Sequence, residues 1–488
     1  MLLLPLLVVA LGQDPLTELQ DSTLAVPRPE ADALPPASDG ITKAELEHHV
    51  RFLASDELMG RPAVSEHSRR VARYLAAALH RSGWEGALEG GGMLQEVPYR
   101  RTAFASPHKL SIVTADGSTQ DVTMGAEFDL RIRGDVRSGE FEVRHVRGAE
   151  DVPAADASLA LVVHGSPMRA RRWIPDYGEG FGLVLVAGGQ KLREGRGLPR
   201  PSLELMMGEA APDLPEEIRL YGTVANEAAK QAARVVLKVD GGPEVVTDPN
   251  VVARLKGVGT PEHPELASEV VVISAHFDHV GTSKDPSLAE SGEDVIRNGA
   301  DDDASGVAAV LEIAQALAAG PPPARTVVVL LATAEEIGIE GTKFFVENPP
   351  VPLEQIVCNL NFEMIGRPDP EVGGSGKLWL TGFERSSLGP AFSKAGLDLK
   401  PDARPEQNFF RRSDNIVFVV KGIVGQTLSS YNMHGDYHQV TDEADRIDFD
   451  HMLAATQACL RAVRMLSDGR LTPEWNPGEP KGFRAQDR

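Results

Sequence analysis

Cysteine is almost absent from this chain. Two Cys among 488 residues cannot build a disulfide framework or a zinc site made of cysteine thiolates. Basic residues are also few, since 49 Lys and Arg stand against 71 Asp and Glu and give a formal net charge of −22. A surface with that charge repels phosphate backbones, so we expect no nucleic-acid partner.

Repeats and apolar segments of membrane-spanning length are also missing. We find no repeat of fixed period. The 42% of hydrophobic and 25% of charged residues are ordinary for a globular protein, which excludes a wholly disordered chain, a fibrous repeat and a polytopic membrane protein. The length of 488 residues predicts about three domains.

The amino terminus carries the pattern of an export signal. Leu2 to Leu11 is apolar and too short to span a bilayer. Ala10 and Gly12 are small residues at the positions that a signal peptidase reads, although no basic residue precedes the apolar run. The pattern predicts a signal peptide over 1–12, export to the periplasm or the extracellular space, and no membrane span in the mature chain. The polar, Pro-rich stretch 13–40 is predicted to be a flexible linker.

Two amphipathic helices and a β-rich stretch follow. The spacing of apolar residues predicts helices over Thr42–Leu53 and about Ser65–Ser82, with the adjacent His48 and His49 on solvated helix surface. From about residue 94 to 246 short β-like runs alternate with turns. This stretch has no cluster of His, Asp and Glu at ligand-like spacing, so we expect a separate, non-catalytic module.

Beyond residue 250 the pattern is that of an α/β domain. Continuous apolar runs predict buried strands, and helical spacing predicts helices between and after them. The strands are Glu269–Ala275, Thr326–Thr333 and Ile356–Met364, and the helices are Ser305–Ala319, Ile416–Val420 and one capped by Asp448 that runs through Leu466. This alternation predicts a largely parallel central sheet, in which ligands bind at the carboxyl ends of the strands.

Metal-ligand residue types follow each of these buried strands. They are His276 and Asp278 after the first strand, Asp301, Asp302 and Asp303 before the next helix, Glu335 and Glu336 after the second strand, Glu363 at the end of the third, and His438 shortly before the last helix. Imidazole and carboxylate donors at strand ends suit Zn²⁺. With two imidazoles and at least three carboxylates, a pair of ions that share a carboxylate and activate a water is the economical arrangement.

These segments resemble a known family. The set SAHFDHVG, NGADDDASGVAAVLEIA, ATAEEIGIEGT, NLNFEMIGR and GDYHQVTDEADRID is similar to the zinc-dependent aminopeptidases of the bacterial leucyl aminopeptidase type, which are related to glutamate carboxypeptidase. FLASDELMGR resembles the start of that peptidase domain. The resemblance implies a zinc-peptidase domain whose mixed, largely parallel sheet is sandwiched by helices. Its parts are 41–110 and 248–470, with an inserted β-rich, protease-associated-like domain at 111–247 and a tail at 471–488.

The resemblance also implies a role for each residue of the site. His276 and Glu363 bind one zinc ion, Glu336 and His438 bind the other, and Asp302 bridges the two. Glu335 is the general base, which takes a proton from the metal-bridging water and delivers it to the leaving amine. Asp278 hydrogen-bonds the far ring nitrogen of His276. Many relatives have Asp in place of Glu363, so the ligand geometry there is expected to differ.

The expected function is hydrolysis of N-terminal residues from peptides, with alternatives left open. A carboxypeptidase needs an Arg for the terminal carboxylate of its substrate, and Arg367, Arg411 and Arg412 lie close to the motifs. A glutaminyl-cyclase-like enzyme generally keeps one metal, and a receptor-like relative loses ligands, whereas this chain retains all five ligands and the base. Cys358 and Cys459 are expected to be packed thiols.

Overall fold

The computed structural model describes residues 40–104, 109–123, 128–131, 138–165, 169, 172–174, 181–187, 202–206, 216–220, 223–238, 241–283 and 292–480. The predicted signal peptide and the linker up to residue 39 lie outside these residues, as does 481–488. The described chain forms two compact units, one within Met1–Val97 and Asp248–Arg488 and the other within Pro98–Thr247. No helix in the described ranges has both the length and the apolar character needed to cross a membrane.

Strands and helices are numbered along the chain. The strands are β1 (Glu85–Gly86), β2 (Leu94–Phe104), β3 (Lys109–Thr114), β4 (Thr119–Thr123), β5 (Phe128–Arg131), β6 (Gly139–Val146), β7 (Leu159–His164), β8 (Leu183–Ala187), β9 (Ser202–Leu205), β10 (Glu216–Leu220), β11 (Ala232–Lys238), β12 (Gly241–Leu255), β13 (Val270–His276), β14 (Thr326–Ala332), β15 (Ile356–Phe362), β16 (Leu378–Leu380), β17 (Leu399–Pro401) and β18 (Val424–Ser429). The helices are α1 (Lys43–Leu53), α2 (Glu66–Arg81), α3 (Thr223–Lys230), α4 (Gly306–Ala319), α5 (Glu340–Glu347), α6 (Leu388–Lys394), α7 (Asn415–Val420) and α8 (Phe449–Ser467).

The first unit is built on a mixed sheet. Its strands lie in the order β17, β16, β18, β15, β13, β14, β12, β2. The central strand β13 is parallel to β14 and to β15, and β15 is parallel to β18, while β12 and β16 are antiparallel to their inner neighbours. The predicted α/β fold with a mixed, largely parallel sheet is therefore confirmed.

Helices cover both faces of this sheet, as the continuous apolar runs require. Every residue of β13 is buried. Val271 and Ile273 share one apolar cluster with α2, α4 and α8, whereas Val270 and Val272 share another with α5 and α7. Alternate apolar side chains of this strand thus pack into two separate cores. Side chains at the end of the strand lie outside both cores.

Capping residues begin the predicted helices where the sequence places them. The Thr42 side chain accepts a hydrogen bond from the backbone N–H of Glu45, which begins α1. Ser65 forms a capping box with Ser68 at the start of α2. The carboxylate of Asp448 accepts from two backbone N–H groups at the start of α8. The predicted α7 is helical as well.

The second unit has its own sheet and core. Its strands lie in the order β4, β3, β11, β6, β7, β8, β10, β5. The residues of β7 and β8 are almost all buried. The stretch is β-rich as expected, and its assignment as a protease-associated-like domain stays a prediction. In the first unit, Cys358 and Cys459 are free, buried thiols as predicted.

One sequence expectation is wrong on helix α1. His49 is buried and not solvated, with Nδ1 2.7 Å from the hydroxyl of Tyr74 and Nε2 3.4 Å from Oε1 of Glu312. Burial lowers the pKa of His49 to about 3 and raises the pKa of Glu312 to about 8, with the nearby Glu45 adding to the second effect. The histidine is therefore neutral at pH 7, and the glutamate keeps its proton in the folded chain.

This buried glutamate makes stability depend on pH. Its folded pKa lies above the ordinary value, so its contribution to folding is complete below pH 4.5 and is lost as pH rises through about 8. We expect the difference in unfolding free energy between the wild type and Glu312→Gln to fall by about 5 kcal/mol across that window, since the pKa rises from 4.5 to about 8 and one pKa unit corresponds to about 1.4 kcal/mol. Denaturant titrations at several pH values measure it. Glu262→Gln, at an exposed position, should show a flat difference, and a flat difference for Glu312→Gln as well would refute the assignment.

Candidate metal centre

The predicted ligands converge because three parallel strands end at one edge of the sheet. His276 is the last residue of β13, Glu335 and Glu336 follow β14 after a short turn, and Glu363 directly follows β15. Since β13 lies between β14 and β15 and all three run in the same direction, their carboxyl ends are neighbours. The polar side chains at the ends of these strands, which lie outside both apolar cores, therefore meet at this edge.

Asp302 is presented by a loop that its neighbours hold in place. The carboxylate of Asp442 accepts hydrogen bonds from the backbone N–H groups of Asp301 and Asp302, at 3.1 and 3.2 Å. The Asp303 carboxylate accepts from the backbone N–H of Met364 at 3.0 Å, and that of Asp301 accepts from Gly366 at 2.8 Å. Two of the three consecutive aspartates thus fix the backbone, which leaves the Asp302 carboxylate to face the histidines.

The two oxygens of Asp302 face two different imidazoles. Oδ1 lies 3.3 Å from Nε2 of His276, and Oδ2 lies 3.1 Å from Nε2 of His438. His438 is distant in sequence and reaches the site from the segment before α8. A carboxylate with one oxygen toward each imidazole has the arrangement expected of a group shared between two ions.

A compact group of four donors forms on one side of Asp302. One donor atom from each of His279, Asp302, Glu336 and His438 lies within 4.8 Å of the other three. Nδ1 of His279 is 2.8 Å, and Nε2 of His438 is 3.1 Å, from Oε1 of Glu336. Two imidazoles and two carboxylates match the donor types that zinc accepts. Among the described residues this is the group of three or more such side chains whose donor atoms all meet that distance.

Unpaired buried atoms test whether this group fits a cation. Both ring nitrogens of His279 and Oε1 of Glu336 are buried without a hydrogen-bond partner in the described chain, although Nδ1 and Oε1 are only 2.8 Å apart. Buried polar atoms without partners are costly, and atoms that approach without bonding each other suit ligands directed at a common ion. The residues therefore fit a metal ion.

His279 is the residue that the sequence reasoning passed over. It lies three positions after His276 in SAHFDHVG, and no role was assigned to it. The sequence does contain a signal for His279 as a metal ligand, because a second imidazole in the loop after a buried strand is a candidate of the same type as His276. Its backbone N–H donates to the carbonyl of Arg61 at 3.1 Å, which fixes the loop so that the ring turns inward.

Arg61 ties the early segment FLASDELMGR to this site. Its side chain is fully buried and donates from Nε to the carbonyl of Phe277 at 2.8 Å and from Nη2 to the carbonyl of Gly299 at 3.0 Å. One guanidinium thus bridges the loop that carries His279 and the loop that carries Asp302. The sequence shows the motif but not this bridge.

Asp278 acts differently from the prediction. Nδ1 of His276 meets the backbone carbonyl of Asp278 at 3.1 Å, and the carboxylate is 3.8 Å away. That carboxylate accepts from the backbone N–H groups of Glu335 and Glu336, at 2.9 and 3.3 Å. The loop after β13 turns so that the backbone carbonyl of Asp278 lies closer to the imidazole of His276 than the Asp278 carboxylate does. Asp278 orients the two-glutamate turn instead.

Burial disfavours the simultaneous ionisation of the carboxyl groups around His276. It raises the pKa of Glu363 to about 7 and that of Asp278 to about 7, and it raises the pKa of Glu335 well above the ordinary value. Repulsion between Glu335 and Glu363 adds to the effect. A buried set of carboxylates of this kind needs compensating positive charge.

Two arginines considered as partners for a substrate carboxylate have different environments. Arg367 donates to Asp436 at 2.6 Å and to Asp442 at 2.8 Å, so its guanidinium is engaged within the chain. Arg412 lines a cavity that also touches Glu363. Asn415 donates to the carbonyl of Phe410 at 3.1 Å and has a structural role.

The carboxyl-terminal part of the chain is similar to known peptidases. The sequence model of Peptidase family M28 matches residues 250–463. A protein of Mycobacterium tuberculosis named "Probable lipoprotein aminopeptidase LpqL" is 26% identical over 253 residues, which cover 45% of this chain and 45% of that protein. The match therefore spans less than half the length of that relative.

Solved structures were compared as well. An aminopeptidase from Aneurinibacillus sp. strain AM-1 is 17% identical, with a TM-score of 0.49, 89% of this chain covered and 94% of the other. A zinc aminopeptidase from Bacillus subtilis is 15% identical, with a TM-score of 0.46, 90% of this chain covered and 97% of the other.

Proposed function

We propose that the chain, whose residues 250–463 match the sequence model of Peptidase family M28, is an exported di-zinc aminopeptidase that removes N-terminal residues from peptides. The observation that carries the proposal is the placement of His276 and His438 at opposite oxygens of Asp302. His276 and Glu363 would hold one ion, Glu336 and His438 would hold the other, and Asp302 would be shared between them. His279 is an additional donor at the second ion, supported by its unpaired ring nitrogens.

The chemistry divides between the ions and the protein. When bound, the two zinc ions polarise the scissile carbonyl and lower the pKa of the attacking water. Glu335 takes the proton from that water and delivers it to the leaving amine. Burial raises the pKa of Glu335 well above the ordinary value, because it disfavours the charged form of this carboxyl group. Asp278 orients Glu335 and Glu336 together through their backbone N–H groups.

Attack from the amino end is favoured by the charges around the site. The chain has a net charge of −22, and the carboxylates beside the ligands attract a free α-amine. Arg367 is held by Asp436 and Asp442, which removes one candidate partner for a terminal carboxylate. The proposal of export rests on Leu2–Leu11 alone, and a mature chain that begins at Gln13 would support it.

The direction of attack is tested with a pair of peptides. One carries an acetylated amino terminus and the other an amidated carboxyl terminus. We expect the metal-loaded protein to shorten the amidated peptide from its amino end and to leave the acetylated peptide intact, because only the first presents a free α-amine. Mass spectrometry of both digests reads the result. Shortening of the acetylated peptide from its carboxyl end would show a carboxypeptidase instead.

A further inference from the structure

A cavity with aromatic walls lies beside the metal centre. Trp379, Phe409, Tyr431 and Tyr437 line it together with Glu363 and Arg412. The rings of Trp379 and Phe409 are 5.3 Å apart, and those of Phe409 and Tyr431 are 5.8 Å apart. Tyr437 also stacks on His438, with ring centroids 3.9 Å apart. Because the cavity shares residues with the proposed ligand set, a substrate side chain next to the scissile bond can enter it.

Two groups on the cavity wall can donate hydrogen bonds but cannot accept them. Trp379 is 2% exposed, and its Nε1 has no hydrogen-bond partner among the described residues. Arg412 stacks on Phe409, with Cζ 5.0 Å from the ring centroid, and the described chain shows no acidic partner for it. Indole and guanidinium groups offer only N–H donors. The buried indole N–H therefore calls for an acceptor that a ligand brings, and the exposed guanidinium of Arg412 is open to the same ligand.

Other arginines of the same region differ in this respect. Arg404 pairs with Asp369 at 2.8 Å, and Arg385 pairs with Glu479 at 3.0 Å. Arg412 is the cationic group on the wall of the cavity, and its charge acts on Tyr431 and Tyr437, whose pKa values it lowers against the rise caused by burial. Its field therefore reaches the ring-lined interior.

We propose that this cavity selects an acidic side chain at the amino end of the substrate. The aromatic rings hold the methylene stem of a residue such as glutamate, and Arg412, with the N–H of Trp379, holds its carboxylate. The inference rests on the proposed aminopeptidase function and adds the substrate class. An exposed ion pair alone contributes little, but the ring beneath the guanidinium excludes water on one side and strengthens the contact.

Paired substrates test the selection. The 4-nitroanilides of glutamate, glutamine and leucine are hydrolysed by the metal-loaded full chain, and glutamine is the neutral isostere of glutamate. We expect kcat/KM for glutamate to exceed that for glutamine by about tenfold, which corresponds to about 1.4 kcal/mol. Arg412→Met should abolish the difference between the glutamate and glutamine substrates. Arg411→Met, at the exposed neighbour that does not line the cavity, should keep the difference.

The outcomes separate the inference from the function on which it rests. An anilide has no terminal carboxylate, so equal rates for glutamate and glutamine would show that Arg412 serves another group, and the inference would be overturned. The same holds if Arg411→Met and Arg412→Met behave alike. If no anilide is hydrolysed at all, the aminopeptidase proposal fails. Calorimetric titration with free L-glutamate and L-glutamine then tests the selectivity of the cavity independently of hydrolysis. The inference expects L-glutamate to bind more tightly than L-glutamine, and Arg412→Met to remove this preference.

Discussion

Glu335→Gln is expected to slow peptide hydrolysis by about 10²–10⁴-fold while both metal ions stay bound. The amide keeps the shape of the side chain but cannot take the proton of the attacking water. The backbone N–H of Glu335 still bonds to Asp278, so the turn and Glu336 keep their places. Steady-state rates on an aminoacyl anilide, together with metal analysis of the same preparation, measure both parts of the expectation.

A matched control exists in the same segment. Glu340 begins α5 and pairs with Lys343 at 3.2 Å, away from the donors of the metal centre. Glu340→Gln should keep nearly full activity. If Glu335→Gln instead loses metal, Glu335 is a ligand, and the roles that we give to the two adjacent glutamates are reversed.

Asp302→Asn is expected to have the largest effect of any single substitution, with loss of metal and of activity together. Asp302 offers one oxygen toward His276 and the other toward His438. An amide nitrogen in place of one oxygen carries hydrogens and cannot bind a cation, so one of the two ions loses a ligand and both lose the shared charge. The fall in metal affinity should exceed the 10–100-fold that loss of an outer partner causes.

Asp442→Asn is expected to lower metal affinity less than Asp302→Asn does, and it therefore serves as the comparison for that variant. Asp442 touches no metal donor side chain but accepts from the backbone N–H groups of Asp301 and Asp302. Its replacement should loosen the loop and weaken metal binding by about 10–100-fold. Calorimetric zinc titrations compare the zinc affinities of the wild type, Asp442→Asn and Asp302→Asn. Equal affinities for wild type and Asp302→Asn would exclude the bridging role.

The sequence was sufficient for the strands and for the positions of the polar residues that directly follow them. A continuous apolar run such as VVVLLA has one solution in an α/β domain, a strand buried on both faces, and a polar residue directly after it must lie at the sheet edge. Glu336 and Glu363 could be placed for that reason. His438 does not directly follow such a strand, and its role as a ligand was implied by the family resemblance.

Other features depend on contacts between distant segments, which no local pattern contains. Arg61 reaches the carbonyls of Phe277 and Gly299 from more than two hundred residues away. His279 faces the donors because its loop is held by that residue. The Asp278 prediction was wrong for a similar reason, since the choice between its carbonyl and its carboxylate as partner of His276 is set by how the chain turns after β13.

The number of ions tests the central claim most directly. Zinc is added stepwise to the metal-free full chain, and activity on an aminoacyl anilide is recorded against zinc bound per chain. The account predicts that activity rises until two ions are bound and that Asp302→Asn retains neither at the same free zinc. Full activity at one bound zinc ion per chain, or activity that persists without metal, would contradict the shared-aspartate centre.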